Sequence, residues 1–530
     1  MKKLLTILLL CVVALALTAG EAYAYRKVTV RQGMDLVKVF AGKETKFVIK
    51  EDIDLDGKTV KMGEGCMLVF KGGSLANGKV VGNNTKMGVE KDNVFHNCEI
   101  QGEWLVNCAF STMFDADIET MILLRNMSCL SPVLKLSANR HYHINANDES
   151  LNAERIESAD KKRPLLSFHT TLPNVSGIRI IGESVTLKNL IITDDYDINN
   201  DAKYGANNVT LGNTIAILSP TKTVNYLTVE GCSFMGGTSS SFVAASQVRN
   251  CTVTNCDFSG YMADHAVYCS MKVENYNVYN CRIRDVVHTS SLFKVRDSKG
   301  LKRFNIIDVK AHNLNGYLAD LTALESPQAE LLFQGIRVTK DSGNQSIFYG
   351  FCLSDNANGK SGDSMNVRGV LFKNNQFDYG YGGNPLINSG SGKRIRVEEI
   401  RYENVKAKES NFGGGNVNRI IVDNCTFDDC CGKIGIYLLS KELILKKTKI
   451  SCNDRSNCLL LLNYDNEKLR SITMSNVDVN VDVINLLDLK HGDNLKLNID
   501  NCKINKPTNT LINTPKSSRV LYKASRVKFR

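Results

Sequence analysis

The chain has 530 residues, with 66 Lys and Arg against 55 Asp and Glu, a formal net charge of +11 and 43% hydrophobic residues. A chain this long buries a large core without covalent staples, so its 17 cysteines are not needed as a disulfide framework. The positive balance suits a polyanion through long-range attraction, but no zinc-finger spacing or basic, aromatic-interleaved motif points to nucleic acid.

The first segment, MKKLLTILLLCVVALALTAGEAYA, has a cationic start, an apolar stretch and a small-x-small end at Ala22-Tyr23-Ala24. This pattern predicts a signal peptide over 1–24 and a secreted or periplasmic mature chain. Cys11 follows Leu10 inside the apolar run, which favours ordinary cleavage over a lipid-anchored surface form. Loss of Lys2, Lys3 and Glu21 takes the charge from +11 to +10. No later run approaches the ~20 apolar residues of a membrane span, and the mature chain is expected to be a monomer.

Residues 25–47 are expected to cap the N-terminus. Within them RQGMDLVKVFAG predicts a short amphipathic helix with Leu36, Val37 and Phe40 on one side. The segments 148–164 and 194–208 break the pattern that follows and read as projecting loops. Residues 516–530 form a basic tail expected to lie over the end of the fold, and one elongated domain spans 48–515.

That domain is built on a repeat. Cys232, Cys256, Cys281 and Val309 follow one another at steps of 24, 25 and 28 residues, and Cys425, Lys449, Val477 and Cys502 at 24, 28 and 25. Each unit alternates apolar and polar residues, as in Val278-Tyr279-Asn280-Cys281-Arg282-Ile283, and closes on turn formers. Short strands at a fixed period without crossover helices predict an all-β parallel β-helix, a solenoid with a short N-terminal capping helix. Many cysteines follow an Asn: Asn97-Cys98, Asn107-Cys108, Asn250-Cys251, Asn255-Cys256, Asn280-Cys281, Asn424-Cys425, Asn457-Cys458 and Asn501-Cys502. The Asn amides are expected to bond from coil to coil at a turn, while the Cys points inward as a small, weakly polar residue. No CxxC pair with metal-ligand spacing occurs, which argues against zinc. A bridge among the cysteines from Cys425 to Cys458, where Cys430 and Cys431 adjoin, is left open.

On these coils, on the stretch FKGGSLANGKVVGNNTKM from Phe70 to Met87 and on the strand ANRHYHIN, the chain resembles the pectin-lyase-like superfamily of right-handed parallel β-helix proteins. The resemblance covers about Val48 to Ile504 and implies a fold rather than one activity. Secreted polysaccharide lyases and glycoside hydrolases both belong to that superfamily.

Outward residues of neighbouring coils form the surface on which a polymer could lie. In ADHAVYCS, Val267 and Cys269 are expected inside, with Tyr268 and Ser270 outside. In LFKVRDS, Phe293 and Val295 point in, leaving Lys294 and Arg296 outward and ~7 Å apart along one strand. A polysaccharide lyase abstracts the C5 proton of a uronate once the carboxylate charge is neutralised, and expels the 4-linked sugar. Lys294 or Arg296 could neutralise; His265, Tyr268 or His288 could serve as base and acid. Each also has a plain structural reading, and His265, His288 and His312 do not stand in strict register. His141 and His143 share one strand face without a third ligand nearby in sequence and read as structural.

Asp194, Asp195, Asp197 and Asp201 crowd one stretch and make calcium the candidate ion. The expected function is β-elimination of an acidic polysaccharide: a glycosaminoglycan such as chondroitin or dermatan sulfate, pectate or alginate. A polygalacturonase-type hydrolase is the alternative, but its NTDG, paired-aspartate, GHG and RIK motifs are not intact, KVRD being a faint echo of the last. A non-catalytic glycan-binding or surface structural protein is the third reading.

Overall fold

A computed structural model describes residues 25–530 apart from 89, 91, 146–147, 170–174, 196–211, 239, 263, 323, 325–327, 355–364, 381–385, 390–394, 411, 413–416, 430–440, 452–455, 463–469, 481–482, 490–493, 507–509 and 514–518. The signal peptide expected over 1–24 lies outside the described residues, as do Cys430 and Cys431. Two compact units divide the chain, Met1–Ser137 and Ala138–Arg530.

The first unit holds a seven-stranded sheet running from Arg26–Val30 to Phe95–Leu105, with parallel pairing throughout. Its helix Leu36–Phe40 starts at Asp35, whose side chain accepts from the Lys38 amide. Leu36 and Phe40 are buried, but Val37 is 46% exposed. Residues four apart share a helix face and adjacent ones do not, so Val37 falls outside the stripe expected to hold it. A second helix, Thr120–Leu130, was not anticipated; it buries Met121, Leu124 and Met127.

The second unit is a parallel β-helix. A long sheet runs from Arg155–Ser158 to Arg519–Ser525, and another of 22 strands runs from His141–Asn145 to Lys528–Phe529. Successive strands are one coil apart, ~4.8 Å. The 22-stranded sheet consists of two rows joined through long strands. Arg282–Arg296 pairs with Asp257–Met262 at its start and with His265–Ser270 at its end. Register shifts after Val286 and Thr289 mark the corner between the rows.

Inward residues stack in ladders, such as Phe234 on Phe258 with ring centroids 5.1 Å apart and Phe372 on Tyr402 at 4.9 Å. The Asn–Cys repeat has a physical cause. Asn255, Asn280, Asn404, Asn424 and Asn501 all have left-handed backbone, with φ between 49° and 55°. Asn tolerates that conformation better than other non-glycine residues. Each amide N–H bonds one coil on, as Asn255 does to the Tyr279 carbonyl at 3.0 Å. The side chains form their own ladder: Asn424 Nδ2 donates to Asn404 Oδ1 (2.7 Å), and Asn404 Nδ2 to Asn374 Oδ1 (2.9 Å). Where a Cys follows it is buried and its thiol donates back two residues, as Cys281 does to the Tyr279 carbonyl at 3.3 Å; Val405 follows Asn404 instead. Thr448 occupies the same place and donates to the Lys446 carbonyl at 2.7 Å.

Two expectations about irregular segments are corrected. Strands Ser150–Asn152 and Arg155–Ser158 pair with the next coil inside the stretch expected to be a loop. The basic tail does not lie over the end of the fold: Arg519–Ser525 and Lys528–Phe529 pair in parallel with Asn494–Asp500 and Lys503–Ile504, making a further coil. Among the described residues, no helix is long and apolar enough to cross a membrane. Cys232, Cys256, Cys281 and Cys425 are free thiols.

Candidate functional site

Strand alternation and register bring four of the singled-out residues onto adjacent rungs. Val267, Cys269, Phe293 and Val295 are fully buried, which turns Tyr268, Ser270, Lys294 and Arg296 to the other face. Tyr268 pairs with Lys294, and Ser270 with Arg296. One coil further on, the same columns hold Asp320 and Thr322.

His265 begins this strand. It is only 7% exposed, and its ring lies 5.6 Å from that of Tyr268 at an interplanar angle of 26°. Its Nδ1 lies 3.0 Å from the carbonyl oxygen of Ser291, so the Nδ1–H is the donor and the neutral tautomer keeps a lone pair on Nε2. Nε2 faces the Asp264 carboxylate at 3.7 Å. Burial pulls the His265 pKa below its ordinary 6.5, and the Lys294 charge adds to this; Asp264, the Ser291 carbonyl and Asp320 oppose it. Burial moves the Tyr268 phenol the other way, upward, against the Ser270 hydrogen bond and the Arg296 charge. The pair is therefore an unprotonated imidazole beside a protonated phenol near neutral pH.

Lys294 faces outward yet is only 8% exposed. Its ammonium is paired with the Asp320 carboxylate and donates to Thr322 Oγ1 at 2.6 Å. Thr322 in turn lies 2.9 Å from Ser354 Oγ. Arg296 is half-buried, with its Nε 3.3 Å from the Asp297 carboxylate. The Cys352 thiol, beside Asp320 in register, is pushed up to about 12 by burial and then by that carboxylate's charge.

His288 sits on the other side of the corner. It is exposed, pairs in register with Tyr261 and stacks on its ring at 5.4 Å. His312 belongs to a third column, opposite Arg284, with Nδ1 2.9 Å from Thr339 Oγ1 and Nε2 3.2 Å from Asp341. The near-equal spacing of the three histidines reflects the coil length, and they occupy different columns. The His141 and His143 rings lie 3.8 Å apart, tilted by 51°, and His141 Nε2 is 2.7 Å from Ser167 Oγ.

Two of the aspartates named for calcium, Asp194 and Asp195, do not converge. Asp194 and Asp195 end the strand Ile191–Asp195, where successive side chains point to opposite faces. Asp194 is buried and accepts from Thr214 Oγ1 at 2.7 Å, while Asp195 is exposed and meets His169 Nδ1 at 2.5 Å. Asp197 and Asp201 lie outside the described residues. Among the described residues no group of three or more His, Cys, Asp or Glu is arranged to hold a metal ion.

Sequence reading missed Asp320, Asp264 and the aromatic rungs Tyr261 and Tyr317, the last with its ring 5.3 Å from that of Tyr349 and tilted by 30°. The signal for Asp320 was available: Tyr268, Lys294 and Asp320 follow at steps of 26 residues, one coil each. No protein family, curated protein or solved structure matches the chain.

Proposed function

We propose that this β-helix is an exported polysaccharide lyase that cleaves a uronic-acid-containing polysaccharide by β-elimination, its substrate a glycosaminoglycan, pectate or alginate. The single observation that carries the reading is the His265 ring stacked on that of Tyr268, with Arg296 on the next coil. The resemblance to pectin-lyase-like proteins, the signal-peptide pattern and the net positive charge support it.

Arg296 pairs with the uronate carboxylate and lowers the cost of carbanion character at C5. His265 Nε2 takes the C5 proton; the C5–H electron pair becomes the C4–C5 double bond as the C4–O4 bond breaks. Tyr268 gives its proton to O4, and the imidazolium returns a proton to the phenolate, restoring both groups. Lys294, held by Asp320, positions this surface and sets its charge.

Hydrolysis is the second reading, favoured by the carboxylates Asp264 and Asp320, whose charges both act on His265. Ultraviolet absorbance of the new double bond, followed with chondroitin sulfate, dermatan sulfate, polygalacturonate and alginate, tests the proposal. Rising absorbance supports it. New reducing ends without absorbance favour the hydrolase, and neither signal on any substrate sinks both.

A further inference from the structure

A separate groove crosses the outer face of the other long sheet. It spans six coils, from the strand Arg303–Ile307 to the strand Glu442–Lys446, about 24 Å. Its cavity of about 950 Å³ falls in the range of ligand sites.

A single residue opens it. One outward column reads Arg303, Glu330, Gly369, Glu399, Arg419, Glu442 on successive coils. Gly369 alone lacks a side chain there, and a Cβ built on it meets nothing within 4 Å. The next column places Leu332 and Leu371 side by side as an apolar floor.

The rim is charged but internally matched. Arg419 Nε binds Glu442 Oε2 at 2.6 Å, Arg401 Nε binds Glu399 Oε1 at 3.2 Å, and Arg368 reaches Glu330 at 3.5 Å. These pairs fix guanidinium and carboxylate groups as oriented donors and acceptors. The lining carries five cations and four carboxylates, so it offers little net attraction to a polyanion.

We propose that this groove is a second, non-catalytic binding site for an uncharged polysaccharide. The apolar floor suits the C–H face of a sugar ring, and the paired rim suits its hydroxyls. An extended peptide is disfavoured because the strands beneath spend their backbone groups on their neighbours in the sheet, leaving none for strand addition. The inference is independent of the lyase reading.

Calorimetric titration with xylotetraose, mannotetraose and cellotetraose, and with tetragalacturonate as the charged control, tests it on the full chain. At least one neutral tetrasaccharide is expected to bind. Gly369→Gln should weaken it by roughly tenfold or more, with thermal stability unchanged. Arg419→Gln, at a half-exposed side chain, should weaken the same ligand and provides a second variant. No binding of any neutral sugar at millimolar concentration overturns the proposal, as does affinity indifferent to both substitutions.

Discussion

The His265 imidazole and the Tyr268 phenol stack at 5.6 Å while burial drives their pKa values in opposite directions, His265 down and Tyr268 up. Such divergence within one pair separates a base from an acid. Acidification therefore has a signed effect on stability. The unfolded chain binds the proton at His265 near pH 6.5, whereas the folded chain binds it only at lower pH. The unfolded state holds more protons in that window, so stability contributed above pH 6.5 is lost as pH falls toward the folded value. Urea titrations from pH 8 to 5 should show this slope in the native chain and a shallower one in His265→Gln. Turnover, if His265 is the base, should fall by about 10²–10⁴ in the same variant; unchanged turnover would remove His265 from the mechanism.

Lys294 and Asp320 form an ion pair whose side chains are only 11% and 14% exposed. Removing one partner strands a charge, which costs about 3–5 kcal/mol for buried pairs, whereas replacing both with apolar groups is far milder. Asp320→Ala should therefore lower stability more than the double change Lys294→Met, Asp320→Leu. A double-mutant cycle by chemical denaturation reads the difference, and additive losses would contradict the coupling.

The coil was legible because its most demanding positions are chemically distinctive. A left-handed turn recurs every 24–28 residues, and Asn with a small buried Cys answers it at Asn255, Asn280, Asn424 and Asn501. Face assignments followed from alternation, so Val267, Cys269, Phe293 and Val295 were placed inside from sequence. The ionic partner of Lys294 was not, because Asp320 is 26 residues away and the burial of an outward side chain depends on its neighbours on adjacent coils. Register shifts between Phe258 and Tyr261 set His288 opposite Tyr261, while His265 pairs with Ser291. The helix Thr120–Leu130 was hidden by its continuous apolar run from Met121 to Leu124, which blurs a helical period.

Asn404 joins both requirements of the turn: its φ is 55°, and its amide bonds to Asn374 and Asn424. Asn404→Gly keeps the backbone conformation and loses two side-chain bonds, at about 0.5–1.5 kcal/mol each at most. Asn404→Ala loses the same bonds and adds the left-handed penalty of about 1–2 kcal/mol. The expected order of stability is native, then Gly, then Ala. Equal losses for the two variants in urea unfolding would show that backbone strain plays no part there.

Thr448 supplies a natural control for the cysteine column. Its hydroxyl donates to the carbonyl two residues back at 2.7 Å, as the thiol of Cys425 does at 3.2 Å. Cys425→Thr should consequently cost under about 1.5 kcal/mol, since volume and the local donor are both kept. Cys425→Leu adds methylenes to a site 2% exposed and should cost about 1–3 kcal/mol. Burial also pushes the Cys425 and Cys232 thiols up to about 12, against hydrogen bonds that favour the thiolate. Thiolate is the reactive form, so both cysteines should resist a disulfide reagent at pH 8 in the folded chain and react fully in denaturant. Peptide mapping of the labelled sites checks this directly, and rapid native labelling at Cys425 or Cys232 would mean that the coil opens there far more readily than its hydrogen-bonded ladders allow.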